Sequence, residues 1–220
     1  MTFKEELGDW FYLLKDKVNL NEISNLLGKE YLSRKVYPTP ENVFKVFKIL
    51  PYNDIKVIIL GLDPYHNGQA TGIAFGVDSK PIPASLRIIK SEMETSVYNT
   101  EAHNFDYSLE LWVKQGVFLL NTALTVVEGN PTTHCNIWRP FTTAVFEVLN
   151  EIPGKIFVLW GNEAKKYQQL INPKFHHVLM ASHPAAEAYR KHAGFYGCNH
   201  FNVINEIIEE QNGKEARLKW

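Results

Sequence analysis

Four short apolar runs recur along the chain, and each is bounded by polar or turn residues. Segments with the spacing of amphipathic helices lie between them. Strands that alternate with helices predict a parallel sheet covered by helices on both faces. We therefore expect a three-layer α/β/α fold with a central four-stranded parallel sheet, in a single domain over residues 1–220. The predicted strands cover residues 55–60, 117–120, 155–160 and 176–181.

Helices are predicted where apolar residues recur on one face. The first such segment covers residues 2–19, and a short helix over 41–49 follows it. The remaining predicted helices cover residues 84–97, 106–115, 139–150, 162–171 and 203–211.

Polar groups follow each predicted strand at its carboxyl end. The strands end at Gly61-Leu62-Asp63, Asn121-Thr122, Gly161-Asn162 and Ser182-His183-Pro184. Ligands of open parallel sheets bind beyond the carboxyl ends of the strands. We therefore expect Asp63, Asn121 and His183 to converge, as they would in any doubly wound enzyme, without a particular substrate being indicated.

Each of these residues also has a structural interpretation when it is taken alone. Asp63 and His183, each followed by proline, suit turns, and Asn121 suits a residue that satisfies backbone groups at a strand end. His176-His177 is interpreted as ordinary strand-edge histidine, because no carboxylate–histidine spacing accompanies it. The functional interpretation therefore depends on the motifs around these residues.

Composition excludes several classes of site. The formal net charge is −1, so any contact with DNA has to come from a local patch or from backbone amides. Two cysteines are too few for a cysteine-ligated iron–sulfur cluster, and they lack the spacing of a zinc site. No GxGxxG or GxxxxGK[ST] motif indicates a nucleotide cofactor. Without a signal region or an apolar run of about 18 residues, a cytoplasmic protein with reduced thiols is expected, outside the membrane.

Five segments of the chain carry distinctive motifs in a fixed order. They are residues 61–75 (GLDPYHNGQATGIAF), 81–86 (PIPASL), 112–126 (WVKQGVFLLNTALTV), 159–162 (LWGN) and 194–201 (GFYGCNHF). Together they resemble the signature of the family 1 uracil-DNA glycosylases, and the similarity runs from roughly residue 40 to 208. One short motif would carry little weight, but five in order over most of the chain are specific.

The resemblance implies an enzyme that flips uracil out of DNA into a pocket and hydrolyses its N-glycosidic bond. By the same resemblance, Phe75 stacks on the base and Asn121 pairs with its polar edge. Tyr65 stands against C5 and excludes the methyl group of thymine, while the backbone at Leu62 faces the base.

The resemblance also assigns the chemistry to two side chains. Asp63 stabilises the sugar cation and orients or deprotonates the attacking water, and His183 donates a hydrogen bond to the negative charge that develops on uracil O2. No metal or cofactor is implied. The groups expected to hold DNA phosphates are His66, Ser85 and backbone amides at Gly161 and Asn162.

The chain departs from the family pattern in the pocket and in one loop. Leu62 stands where the family usually has glutamine, and Gly76 where it often has serine. Residues 183–190 read HPAAEAYR, where the family usually reads HPSPLS before a similar segment. Ala185 thus replaces a serine that grips a phosphate, and Glu187 replaces a leucine that wedges into the base stack.

A carboxylate is a poor wedge and is repelled by phosphates. The additional residues Lys191-His192-Ala193, or Tyr189, are the candidates to take over the wedge or phosphate role. We therefore expect the protein to favour single strands or loosened pairs, where extrusion of the base costs less.

Two other functions remain open at this point. A glycosylase for another modified base would use Leu62 and Gly76 to reshape the pocket wall, and a non-catalytic protein on the same fold would bind DNA without releasing a base. DNA is the expected partner and a monomer the expected state. A DNA-mimic protein inhibitor of the family is expected to bind more weakly, because the 185–193 loop is altered.

Overall fold

The computed structural model describes residues 3–98 and 105–220 and contains the four-stranded parallel sheet. The sheet order is β3-β2-β5-β6, and β1 pairs antiparallel with β4 in a separate two-stranded sheet that was not predicted. The α/β prediction is confirmed. In chain order the strands are β1 (Val36–Tyr37), β2 (Val57–Gly61), β3 (Val117–Asn121), β4 (Val126–Val127), β5 (Ile156–Trp160) and β6 (His177–Ala181).

The strand order creates a ligand crevice between β2 and β5. The chain leaves β2 toward β3 on one side and leaves β5 toward β6 on the other, which is the switch point where open α/β sheets bind ligands. The strands end in register at this edge, since Gly61 pairs with Asn121 and Trp160 pairs with Ala181. The polar groups that follow the strands therefore lie along one edge of the sheet.

The sheet is buried between two aromatic clusters, which explains why its central strands are apolar on both faces. On one face, Phe118 of β3 stacks on Trp10 at a ring-centroid distance of 5.2 Å and packs edge-on against Phe47 at 5.1 Å. On the other face, Trp160 of β5 contacts Phe195 at 5.0 Å and Phe201 at 6.1 Å. The two clusters join the sheet to its outer layers.

Helices form these outer layers, with bounds that differ from the predicted ones. They are α1 (Phe3–Leu7), α2 (Trp10–Leu14), α3 (Leu20–Ser33), α4 (Lys45–Ile49), α5 (Ala84–Met93), α6 (Glu110–Val113), α7 (Cys135–Leu149), α8 (Asn162–Lys165) and α9 (His200–Asn212). A π-helical turn continues α5, and a 3-10 turn continues α8. None of the helices within the described ranges is long and apolar enough to cross a membrane.

The helix predicted over residues 2–19 is instead two short helices that meet at Gly8. Gly8 has a φ of +57°, in the left-handed region. Asp9 then accepts hydrogen bonds from the backbone N–H groups of Trp10 at 2.9 Å and Tyr52 at 3.0 Å. The carboxylate thus caps α2 and ties it to a distant turn, so the break was not visible in local spacing. Residue 2 lies outside the described residues.

Helix α3 was not predicted, although the sequence carries its start signal. Asn19 caps the helix by accepting a hydrogen bond from the backbone N–H of Glu22 at 3.1 Å. Leu20, Ile23 and Leu27 recur at helical spacing and are buried. Asparagine before such a run is a typical helix N-terminus.

Candidate functional site

A cavity of about 220 Å³ opens at the carboxyl edge of β2. It is smaller than the roughly 300–1,000 Å³ that is typical of sites for drug-sized ligands, so it suits a small ligand. A larger cavity of about 780 Å³ lies at the amino ends of the strands, around Lys56 and Gly116, away from the predicted site. The predicted site residues that line the smaller cavity are Leu62, Asp63, Tyr65, His66, Phe75, Ser85, Asn121 and His183.

Asp63 follows β2 and is oriented by the loop that precedes α7. Its Oδ2 accepts a hydrogen bond from the backbone N–H of Thr132 at 2.6 Å. Thr132 has a φ of +64°, an uncommon conformation for a residue with a side chain. Burial raises the pKa of the Asp63 carboxyl, while the Thr132 hydrogen bond and the charge of His66 act in the opposite direction. The carboxyl group is therefore held in a defined orientation at the cavity wall.

His183 follows β6 and is held in one tautomer. Its Nδ1 accepts a hydrogen bond from the backbone N–H of Ala185 at 3.2 Å, so the proton of the neutral ring lies on Nε2. Burial lowers the pKa of His183, which favours the neutral ring near pH 7. The ring lies beside Phe75, with a centroid distance of 6.1 Å. His183 is thus a positioned neutral hydrogen-bond donor.

Gly161, at the end of β5, leaves the space that His183 occupies. It has a φ of +94°, and an added Cβ would lie 2.9 Å from the Cβ of His183. Its own N–H donates to the carbonyl of Ala181 at 3.1 Å, so this amide is already bonded within the fold. Phosphate binding here stays a prediction, and it depends on Asn162, the first residue of α8.

Phe75 lines the cavity with a strained backbone. Its φ is +66°, and such values in bulky residues cluster at ligand sites, where the surrounding structure enforces them. The ring packs edge-on against Trp160 at a centroid distance of 5.7 Å. Phe75 is therefore supported from behind by the aromatic cluster on that face of the sheet.

Asn121 ends β3 directly opposite Gly61 of β2. Its side-chain amide lies over Gly61, where an added Cβ would collide with Oδ1 of Asn121 and touch the ring of Phe75 at 3.4 Å. Glycine at this position is what lets the amide line the cavity. An amide presents both a donor and an acceptor, so it is able to read two adjacent polar atoms of a ligand.

Tyr65 is fixed by hydrogen bonds at its phenol group. The hydroxyl lies 2.8 Å from Oγ of Ser85 and donates to the carbonyl of Phe75 at 3.3 Å. Burial raises the pKa of Tyr65 to about 12, so the phenol stays protonated near neutral pH. Ser85 is 6% exposed, and its hydroxyl is bonded to Tyr65. The phosphate contact of Ser85 stays a prediction.

Leu62 forms part of the wall between this cavity and a second one of about 310 Å³, which Cys135 and Arg139 also line. The carbonyl of Leu62 accepts hydrogen bonds from the hydroxyl of Thr122 at 2.6 Å and the N–H of Ala123 at 3.0 Å. Its side chain contributes an apolar surface, since it has no polar atom.

Packing explains why glycine stands at position 76, where the family often has serine. An added Cβ would collide with the backbone carbonyl of Ser108, so a side chain at this position requires the two segments to move apart. Gly76 is not among the residues that line the cavity. It therefore gives no support to a pocket reshaped for another base.

The loop after His183 does not direct Glu187 outward, although this residue stands where the family has its wedge leucine. Glu187 turns back into the loop, and its carboxylate accepts hydrogen bonds from the backbone N–H groups of residues 193–196 at 2.8–3.2 Å. Tyr189 is 89% exposed, and Lys191 is exposed beside it. The part of the loop that is free to meet a partner is thus the exposed tip, residues 188–192, which carries Tyr189 and Lys191.

Two contributors to the site escaped the sequence prediction. Thr132 acts through its backbone N–H, which carries no residue-type signal. Gln69 lies inside the first motif, and its amide donates to the carbonyls of Ser79 at 3.0 Å and Pro81 at 2.7 Å. Gln69 thereby links the Asp63 segment to the proline-rich loop, and its place within the first motif was the signal that could have found it.

Histidine and cysteine residues do not assemble a metal site in the part of the chain that is described. No group of three or more His, Cys, Asp or Glu side chains there is placed to hold a metal ion. His176 is buried against the ring of Phe157 at 5.3 Å, while Cys135 and Cys198 are free thiols.

Comparison with known sequences identifies one family. The model of the uracil DNA glycosylase superfamily matches residues 47–209. A uracil-DNA glycosylase of Coxiella burnetii is 41% identical in an alignment that covers 100% of this chain and 97% of the relative. The uracil-DNA glycosylase of Borrelia turicatae is also 41% identical, over 92% of this chain and 93% of its own length.

Solved structures lead to the same family. The crystal structure of mimivirus uracil-DNA glycosylase matches with a TM-score of 0.86 at 28% identity, over 96% of this chain and 84% of the viral chain. A variant of mimivirus UNG in complex with UGI matches with a TM-score of 0.85 at 29% identity, over 96% of this chain and 87% of the viral chain.

Proposed function

The chain belongs to the uracil-DNA glycosylase superfamily, and we propose that it cleaves the N-glycosidic bond of uracil in DNA with Asp63 and His183 as its catalytic groups. It is a uracil-DNA glycosylase, an enzyme of DNA repair, as its full-length relatives indicate. The observation that supports the residue roles is that Asp63, His183, Asn121 and Phe75 line one small cavity at the sheet edge.

Uracil recognition is assigned to three side chains of this cavity. The amide of Asn121 offers a donor and an acceptor to the polar edge of uracil, and cytosine, with the opposite pattern, would leave both groups unpaired. Tyr65 stands against C5 of the base and excludes the methyl group of thymine. Phe75 stacks on the flipped base, and its strained backbone supports this role.

Asp63 serves the sugar side of the reaction. Cleavage creates a cation-like sugar, which a carboxylate stabilises, and the same carboxylate orients or deprotonates the attacking water. Both tasks require the ionised form. Burial raises the pKa of Asp63, and the Thr132 N–H and the charge of His66 limit this rise because both favour the ionised form.

His183 serves the base side of the reaction. The neutral ring directs its Nε2 proton toward O2 of uracil, where negative charge develops as the bond breaks. A preorganised donor of this kind typically lowers the barrier by about 2.7–4 kcal/mol. The Ala185 N–H on Nδ1 supports this tautomer before substrate binds.

DNA contacts are assigned to exposed groups around the cavity. Tyr189 is the wedge that fills the gap left by the flipped base, since it is the exposed aromatic residue at the loop tip. Lys191 and His66 are exposed and meet phosphates, as does the amide of Asn162. With a net charge of −1, the protein depends on such local contacts for affinity.

An inhibitor protein is the second partner that we propose, after DNA. UGI is the protein bound to the mimivirus variants. We infer that a DNA-mimic inhibitor of this kind binds the DNA-facing surface of this chain, more weakly because the 185–193 loop is altered. Full and tight inhibition in an equimolar titration would contradict this. We also propose that the enzyme acts as a cytoplasmic monomer.

A substrate panel tests the proposed specificity. Single-stranded and duplex oligonucleotides that carry one uracil, thymine, cytosine or other modified base are incubated with the protein, and free base is measured. We expect release of uracil well above every other base. Faster release of another base would move the assignment to a modified-base glycosylase, and DNA binding without release of any base would indicate a non-catalytic protein.

A further inference from the structure

Glu187 has an unusually complete set of backbone partners. Its Oε1 accepts hydrogen bonds from the N–H groups of Gly194 at 2.9 Å, Phe195 at 2.8 Å and Tyr196 at 3.2 Å, and its Oε2 accepts one from Ala193 at 3.1 Å. Successive N–H groups that point at one anion form a backbone nest. In this loop a side chain of the protein itself fills the nest.

The nest closes the loop that carries the proposed wedge. Glu187 lies in the 3-10 helix Pro184–Ala188, just before the tip, and its partners lie just after it. Residues 188–192 between them are all exposed, so the tip has no buried side chain to fix its position. The placement of Tyr189 therefore depends on hydrogen bonds at the two ends of this tip.

The far side of the loop is anchored to the pocket scaffold. Ser182 donates through Oγ to the carbonyl of Ala193 at 2.5 Å and through its N–H to that of Gly194 at 3.2 Å. Glu92 of α5, 2% exposed, accepts hydrogen bonds from the N–H groups of Gly197 at 2.7 Å and Asn199 at 2.9 Å. Glu187 thus ties the near end of the tip to a segment that is itself immobilised.

The hydrogen bonds of Glu187 also explain how a negatively charged side chain is tolerated in a loop that is proposed to meet DNA. The four N–H donors stabilise the negative charge of the carboxylate. They lower the pKa of Glu187, and the hydrogen bond from Phe195 is the largest cause. A carboxylate satisfied in this way is directed away from the tip. It occupies the position of the family's wedge residue without acting as a wedge.

We propose that Glu187 is a positioning residue that holds the 188–192 tip in the conformation in which Tyr189 enters duplex DNA. This inference rests on the proposed function, and on Tyr189 as the wedge in particular. The hydrogen bond that holds the ring of His183 comes from the N–H of Ala185 and not from Glu187. Loss of Glu187 should therefore affect extrusion from a duplex and leave cleavage of an accessible uracil largely intact.

The test compares Glu187→Ala and Glu187→Gln with wild type on matched single-stranded and duplex oligonucleotides that contain one uracil. Glu210→Gln, on the exposed side of α9, is the control for loss of a surface carboxylate. Both kcat and KM are measured on each substrate, together with the thermal unfolding midpoint. The Gln variant keeps the side-chain volume and one acceptor oxygen, so it is informative even if the Ala variant does not fold.

We expect Glu187→Ala to lower kcat/KM on the duplex by about tenfold to 100-fold, as for a misplaced binding element. Most of the loss should lie in KM, the single-strand value should change by less than about threefold, and the Gln variant should fall between Ala and wild type. Equal losses on both substrates, or no loss on either, would overturn the inference. A wild-type protein that releases no uracil from either substrate would instead contradict the proposed function.

Discussion

Gly61 and Asn121 end neighbouring parallel strands opposite each other, and the amide of Asn121 occupies the space that a Cβ on Gly61 would need. The same Cβ would touch the ring of Phe75. One absent methyl group thus allows the polar group and the aromatic ring to share a single cavity, which is the arrangement that recognition of a flat, polar-edged base requires.

Gly61→Ala should therefore damage the site more than the fold. The added methyl group forces Asn121 aside, so we expect kcat/KM on uracil to fall by about 100-fold, with a loss of roughly 1–3 kcal/mol in the free energy of unfolding. Gly28→Ala in α3 is the matched control, because nothing lies within 4 Å of the added Cβ. The control should keep wild-type activity, and a wild-type rate for Gly61→Ala would contradict the account of Asn121.

Ser85→Ala separates two roles for this hydroxyl. If Ser85 acts by orienting Tyr65, the preference for uracil over thymine should fall by up to about tenfold, as expected for loss of one hydrogen bond. The ratio of kcat/KM values on single-stranded substrates measures this. A phosphate contact predicts another result, namely an unchanged preference and a weaker affinity for DNA, with the same dependence of that affinity on salt, because a neutral hydroxyl releases no counterions.

Tyr189→Ala should selectively weaken action on duplex DNA. Without the aromatic tip, nothing fills the gap in the base stack, so kcat/KM on a duplex should fall by about tenfold to 100-fold, since unstacking a base costs a few kcal/mol. The value on single strands should stay close to wild type. Tyr12→Ala, an exposed tyrosine of α2, is the control, and a similar loss in that variant would remove the case for a specific wedge.

Stability should fall in acid because of His200, which does not line the proposed site. Burial lowers its pKa from 6.5 to about 4 in the folded protein, and its Nδ1 accepts a hydrogen bond from the indole N–H of Trp160 at 3.0 Å. Between these values the unfolded chain binds a proton that the folded chain does not. The stabilising contribution is therefore complete above pH 6.5, and up to about 3 kcal/mol of it is lost by pH 4.

His200→Gln retains an acceptor for Trp160 and removes the titrating ring. Urea unfolding between pH 4 and 8 should show a flatter pH dependence of the free energy of unfolding for this variant than for wild type. His177→Gln, at an exposed position of β6, is the matched control and should retain the wild-type slope. Identical slopes for all three proteins would exclude His200 as the cause.

The sheet and its active edge could be predicted because they follow from short-range pattern and topology. Apolar runs identify buried strands, and parallel strands bring their carboxyl ends together, so Asp63, Asn121 and His183 converge across distant parts of the sequence. Asp9 shows where this reasoning ends. Its carboxylate bonds the backbone of Tyr52, and a contact between segments so far apart in sequence leaves no periodic signal.

Glu187 shows the same limit within the site. Comparison with the family placed it at the wedge position, but its partners are backbone N–H groups, which every residue except proline possesses. The sequence therefore contains no feature that marks these partners in advance. Thr132 escaped prediction for the same reason, since its backbone N–H holds Asp63 and its side chain does not.

Asp63→Asn provides the most direct test of the proposed mechanism. The substitution keeps the size of the side chain and an acceptor for the Thr132 N–H, but it removes the negative charge. Single-turnover release of uracil from a single-stranded oligonucleotide should fall by about 100-fold to 10,000-fold, while the affinity for a uracil-containing duplex stays within about threefold of wild type. A variant that releases uracil at the wild-type rate would contradict the assignment of Asp63 as the catalytic carboxylate.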